Sequence, residues 1–61
     1  MSENEKDFKE YLLKYVNGFS IPPAHASEHL VVKNYGYFKG LTDDAMKRVA
    51  EELEKEIADG K

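Results

Sequence analysis

Apolar residues recur along the first third of the chain with the spacing of an α-helix. They follow one another in steps of three and one, which places them on one stripe of a helix with 3.6 residues per turn. Ser2 followed by Glu5 matches the capping box that starts a helix, and Gly18 suits a helix end. The pattern predicts a helix over residues 3–17, with its stripe continuing to residue 19: Phe8, Tyr11, Leu12, Tyr15, Val16 and Phe19.

The last third of the chain shows a second helical stripe. Thr42 is a good N-cap residue, and Asp43 and Asp44 suit the positive end of the helix dipole. Gly60 offers a stop. These features predict a helix over residues 43–58, whose apolar face consists of Ala45, Met46, Val49, Ala50, Leu53 and Ile57.

The middle of the chain allows two interpretations. Proline is tolerated in the first helical turn, so Pro22-Pro23 can start a short helix over residues 24–35 that ends at Gly36. The valine pair and the aromatic run at residues 35–38 also favour strand. The alternative is therefore a β-hairpin at residues 30–38.

Together these elements predict an all-α fold for residues 1–61, which form a single small domain. We expect two long amphipathic helices that pack antiparallel and a short middle helix that covers their open side. The alternative fold is α-ββ-α. The predicted core consists of Phe8, Leu12, Tyr15, Val16, Phe19, Ile21, Leu30, Val31, Phe38, Leu41, Met46, Val49, Leu53 and Ile57.

The composition narrows the possible roles of so short a chain. It has 61 residues, no cysteine and a net charge of −3, so neither disulfides nor thiolate metal clusters can reinforce it. The polar start carries no signal peptide pattern, and no apolar run approaches the roughly 20 residues that cross a bilayer. We expect a soluble, cytoplasmic protein without a membrane partner. No segment is basic enough to predict tight nonspecific binding of nucleic acid.

The stretch HASEH, residues 25–29, is the one candidate for metal chemistry. His25 and His29 stand four positions apart, so a continuous helix would place both imidazoles on one face, as zinc ligands often lie. His-x-x-Glu-His is also the signature of inverted metalloproteases, but the chain is too short to supply their cleft and third ligand. We predict no metal and no cofactor, and interpret the histidines as surface residues.

The stretch KNYGYFKG, residues 33–40, alternates aromatic residues between lysines. Such strips stack on bases in RNA-binding sheets, but those folds need more strands than this chain can supply. Tyrosine is also enriched in protein interfaces. We therefore name Lys33, Tyr35, Tyr37 and Lys39 as candidate partner-binding residues.

The function predicted from these observations is a small non-enzymatic module for protein interaction or regulation. The sequence holds no glycine-rich phosphate loop, and a preorganised pocket needs more chain than is present. The partner is expected to be another protein or a second copy of the chain. The second hypothesis is a small nucleic-acid-binding domain that uses the middle segment, and the third is a dimer bridged by metal through the two histidines.

Overall fold

The computed structural model describes residues 2–60 and is built of four α-helices. They are α1 (Glu3–Phe19), α2 (Pro23–Ala26), α3 (Leu30–Phe38) and α4 (Asp43–Gly60). The predicted all-α class is confirmed. The hairpin alternative is not supported, because residues 30–38 form α3 and no strand occurs in the described part of the chain. Among residues 2–60, no helix combines the length and apolar content needed to cross a bilayer.

Both long helices begin at the caps that the sequence predicts. The Ser2 hydroxyl accepts from the backbone amide of Glu5 at 3.2 Å, and the Glu5 carboxylate accepts from the Ser2 amide at 3.3 Å. Thr42 accepts in the same way from the amide of Ala45 at 3.1 Å. Each cap satisfies amide donors that the first helical turn leaves without partners. The end of α1 differs from the prediction, because Gly18 remains helical and Ser20 takes the left-handed conformation with φ 56°.

The middle segment is two short helices instead of the single helix predicted over residues 24–35. The first lasts one turn, and the chain then bends through residues 27–29 before α3 begins. The second continues past the predicted stop at Gly36 and ends at Phe38. Its end is a Schellman motif, in which the amide of Gly40 donates to the carbonyl of Tyr37 and that of Leu41 to Gly36, both at 2.9 Å. Gly40 takes the left-handed conformation there, with φ 80°.

The helices α1 and α3 run antiparallel. Tyr11 stacks on Tyr35, while Tyr15 contacts His29 farther along α1 and nearer the start of α3. The connection at residues 39–42 then reverses the chain again, so that α4 follows α1 in the same direction.

The contacts between α1 and α4 show this parallel sense. Glu5 lies across a cleft from Val49, and farther along both helices Lys9 pairs with Glu56. The predicted antiparallel packing of the two long helices is therefore wrong. The physical reason is the additional reversal that α3 introduces between them.

The core lies where α1, α2, α3 and α4 meet. Phe8, Leu12, Met46, Val49 and Leu53 are buried, as predicted. Four other predicted core residues are partly buried against this cluster: Tyr15, Val16, Ile21 and Leu41.

The prediction of burial is wrong for five residues, which are substantially exposed: Phe19, Leu30, Val31, Phe38 and Ile57. Smaller side chains complete the core instead, namely Ala26, Val32, Ala45 and Ala50. Small residues at these positions allow the short helices to approach α4 closely.

Candidate functional site

The most prominent surface feature is one side of α3, which we call the α3 outer face. It consists of Leu30, Val31, Asn34, Tyr37 and Phe38. Relative exposure is 73% at Leu30, 58% at Val31 and 82% at Phe38. Soluble proteins rarely leave such neighbouring apolar side chains uncovered without a binding role. This face is therefore the candidate site.

The rotation of α3 about its axis is fixed by its opposite side. Val32 is fully buried, and Gly36, one turn later, lies against Met46 of α4 and Phe8 of α1. Residues four apart lie on the same side of a helix. With Val32 and Gly36 directed inward, Leu30, Asn34 and Phe38 must form a column that faces solvent.

An aromatic ladder along α1 borders this face. Tyr11 stacks on Tyr35 with ring centroids 4.1 Å apart and an angle of 14° between the planes. Tyr15 lies 4.6 Å from Phe19 and meets the edge of His29 at 5.4 Å. Phe19, which is 65% exposed, lies next to Tyr15 at the end of this ladder.

The four residues that the sequence indicated for partner binding are distributed around α3, and Tyr37 alone of them belongs to the outer face. Tyr35 is half-buried against α1, and the ammonium of Lys39 lies 5.7 Å from its ring centroid. Tyr37 is directed toward the start of α4, where its hydroxyl donates to Asp43. Lys33 lines the cleft on that same side. Tyr37 thus lies at the edge of the outer face, Lys33 lies beside α4, and Tyr35 and Lys39 lie on the α1 side, so the four residues do not form one strip.

Two of these four side chains, those of Lys39 and Tyr37, donate hydrogen bonds to carboxylates. The ammonium of Lys39 donates to Asp7 at 3.2 Å, and this hydrogen bond raises the pKa of Lys39 above its ordinary value. The hydrogen bond to the Asp43 carboxylate likewise raises the pKa of Tyr37, because it favours the protonated phenol. Both interactions hold the C-terminal end of α3, through Asp7 of α1 and Asp43 of α4.

The two histidines do not share a helix face. His25 belongs to α2, whereas His29 is the N-cap of α3 with extended backbone, φ −68° and ψ 140°. The Nδ1 atom of His29 lies 2.9 Å from the Tyr15 hydroxyl. Within residues 2–60, no group of three or more His, Cys, Asp or Glu side chains is arranged to hold a metal ion. The one-turn spacing that suggested a metal pair depended on a continuous helix, which the bend interrupts.

Two shallow clefts flank α4. One has a volume of about 230 Å³ and lies between α4 and the middle helices, lined by Ser27, Lys33, Met46 and Ala50 among others. The other, of about 270 Å³, lies between α1 and α4. Sites for small molecules usually occupy about 300–1,000 Å³. Both clefts fall below this range.

Sequence reasoning missed the outer face itself. The sequence pattern places Leu30, Val31 and Phe38 in the core, and of the five face residues it indicates only Tyr37 for partner binding. The overlooked signal is Gly40. As the C′ glycine it ends a helix at residue 38 and makes Gly36 an interior position, where a glycine indicates close packing of backbone against a neighbour.

Comparison with known proteins adds no relative: the sequence matches no family model, and no curated protein or solved structure is significantly similar to it.

Proposed function

We propose that the chain is a non-enzymatic protein-interaction module whose binding surface is the α3 outer face. The partner is a protein that presents an apolar helical surface of similar width. The single observation that carries this proposal is the exposure of Leu30, Val31 and Phe38 on one side of a nine-residue helix.

The energetics of the face favour a covered state. Full burial of a leucine or phenylalanine side chain contributes about 1.5–3 kcal/mol. Leu30 and Phe38 contribute little of this to the isolated fold, since most of their surface contacts water. A partner that covers these two side chains would therefore add hydrophobic burial that stabilises the complex.

The composition of the face suits a protein partner. Its five residues carry no charge, and aromatic side chains such as Phe38 and Tyr37 supply much of the energy in protein interfaces. Lys33 and the Lys39–Asp7 pair lie on its flanks. Apolar and aromatic side chains bordered by charged residues are common in protein interfaces.

Catalysis has little support from the geometry. The clefts are small and shallow, and the histidines belong to separate helices. The hydroxyl of Ser27 donates to the carbonyl of Ala24 at 2.9 Å, which is a local turn interaction instead of a contact with a general base. A binding role needs none of these groups.

Nucleic-acid binding through the middle segment has weaker support than protein binding. The Tyr35 ring is stacked on Tyr11, so one of its faces is unavailable to a base. Lys39 is paired with Asp7, and Lys33 lies on the opposite flank. A salt titration with single-stranded oligonucleotides separates the hypotheses, because binding through phosphates weakens steeply as salt rises. We expect no binding at about 50 mM salt.

Site-specific photocrosslinking in cells that express the chain tests the proposed face. A photoreactive phenylalanine analogue at Phe38 should form a covalent adduct with a protein, which mass spectrometry of the adduct identifies. The matched control carries the same group at Lys55, an exposed position on α4. Adducts at position 38 that are no more abundant than those at position 55 would contradict the proposal.

A further inference from the structure

We infer that the protein covering the α3 outer face is a second copy of this chain, bound with the two α3 helices antiparallel and a two-fold axis beside Asn34. This inference rests on the proposed function and names its partner. The observation behind it is the symmetrical distribution of exposed residues on either side of Asn34.

The exposed side chains of α3 occur in pairs centred on Asn34. Leu30 and Phe38 lie four positions before and after it, and Val31 and Tyr37 lie three positions before and after. In a two-fold antiparallel pair, residues equally distant from the axis share a layer across the interface. Leu30 of one copy would therefore meet Phe38 of the other, and Val31 would meet Tyr37.

These layers are complementary in size. Each of them combines one aliphatic side chain with one aromatic side chain, so that no layer contains two large rings or two small side chains. Alternating large and small residues across facing positions allows side chains to interdigitate. A parallel pair would instead place Phe38 against Phe38 and Leu30 against Leu30.

Asn34 suits the position on the axis. It is exposed in the centre of the column formed by Leu30 and Phe38, where an isolated apolar partner would leave its amide without hydrogen bonds. A carboxamide both donates and accepts, so two symmetry-related asparagines can satisfy each other. A single interfacial asparagine also selects register and oligomeric state in coiled coils.

Charge does not oppose this association. None of the five face residues is ionisable near neutrality, and the Asp43 carboxylate beside the face accepts a hydrogen bond from Tyr37 of its own copy. Lys39 is paired with Asp7 within its own copy. The acidic face of α4, where the net negative charge is concentrated, lies on another helix and stays outside the contact.

The expected affinity follows from the size of the face. A standard interface covers about 800 Å² per partner, which is roughly a fifth of the 4184 Å² that this chain exposes. A helix of nine residues is only about 13.5 Å long, so contact through α3 is smaller than the standard interface. We therefore expect a dimer that dissociates on dilution.

Sedimentation equilibrium of the purified chain tests self-association. We expect a dimer at about 100 μM protein that shifts toward monomer on dilution, as a small interface requires. Leu30→Glu and Phe38→Glu should each weaken dimerisation roughly tenfold or more, while circular dichroism stays unchanged because both residues are exposed. Ile57→Glu is the control, since Ile57 is a half-exposed apolar residue on α4 and its replacement should leave the dimer intact.

Disulfide trapping tests the register in a chain that has no cysteine of its own. Asn34→Cys should crosslink to its own copy under mild oxidation. Leu30→Cys alone should not, because the two copies of residue 30 are offset by about 12 Å along the helices and disulfides need closer Cα atoms. A mixture of Leu30→Cys and Phe38→Cys should crosslink.

The outcomes separate this inference from the proposed function. A chain that stays monomeric at high concentration, together with photocrosslinks from position 38 to a different protein, overturns the second copy as partner and supports the interaction module. Efficient crosslinking of Leu30→Cys to itself overturns the antiparallel register. Absence of both self-association and specific photocrosslinks overturns both proposals.

Discussion

Gly36 of α3 lies directly against Met46 of α4. A Cβ atom added at Gly36 would be 2.0 Å from the Met46 Sδ atom and 3.1 Å from the Phe8 ring. Met46 is 2% exposed and Phe8 is fully buried, so an added methyl group would force these core side chains to shift. The missing side chain of Gly36 thus sets how closely α3 approaches the core.

Gly18 of α1 and Gly36 of α3 should respond to alanine in opposite directions. Gly36→Ala is expected to destabilise the fold by about 1–3 kcal/mol, the usual cost of overpacking a core. Gly18→Ala meets no atom within 4 Å and should stabilise α1 by about 0.5–1 kcal/mol, because alanine is the better helix former. Urea denaturation followed by circular dichroism measures both changes. Equal effects of the two substitutions would refute the packing described for Gly36.

The two adjacent valines of α3 provide a test of its rotation. Val32 is fully buried and Val31 is 58% exposed. Val32→Ala should cost about 2 kcal/mol through lost burial and the cavity left behind, whereas Val31→Ala should stay within about 0.5 kcal/mol, as surface substitutions usually do. The comparison is made by chemical denaturation at concentrations low enough to keep the chain monomeric. A larger loss at Val31 than at Val32 would restore the rotation predicted from the sequence.

The C-terminal end of α3 should lose stabilisation at high pH. The pKa values of Lys39 and Tyr37 are both raised in the folded state, so each protonated form is favoured by folding. The contribution is complete below the unfolded pKa values, about 10 for tyrosine and 10.4 for lysine. It is lost as pH rises through the higher folded values.

Denaturation midpoints from pH 8 to 11 measure this loss. We expect a level profile up to about pH 10 and a fall above it. The variant with Tyr37→Phe and Lys39→Met lacks both groups and should show a smaller fall over the same interval. A wild-type profile that rises above pH 10 would contradict the assigned hydrogen bonds.

The sequence by itself determined the two long helices and their caps. The capping hydrogen bonds are local, because they join residues that are three positions apart in the chain. The roles of Ser2, Glu5 and Thr42 therefore follow from the neighbouring sequence. The stripe of α4 is equally local, because polar residues occupy its remaining positions and leave one direction for burial. The core positions Phe8, Leu12 and Leu53 were predicted for this reason.

Only the tertiary structure decided the course of the middle segment and the identity of the candidate site. Six of the nine residues of α3 are large and apolar, so periodicity could not show which side is buried. The close contact between Gly36 and Met46, residues on different helices, selects the rotation and directs Leu30, Val31 and Phe38 to solvent. The parallel course of α1 and α4 likewise depends on the reversals at either end of α3, where distant packing overrides local preference.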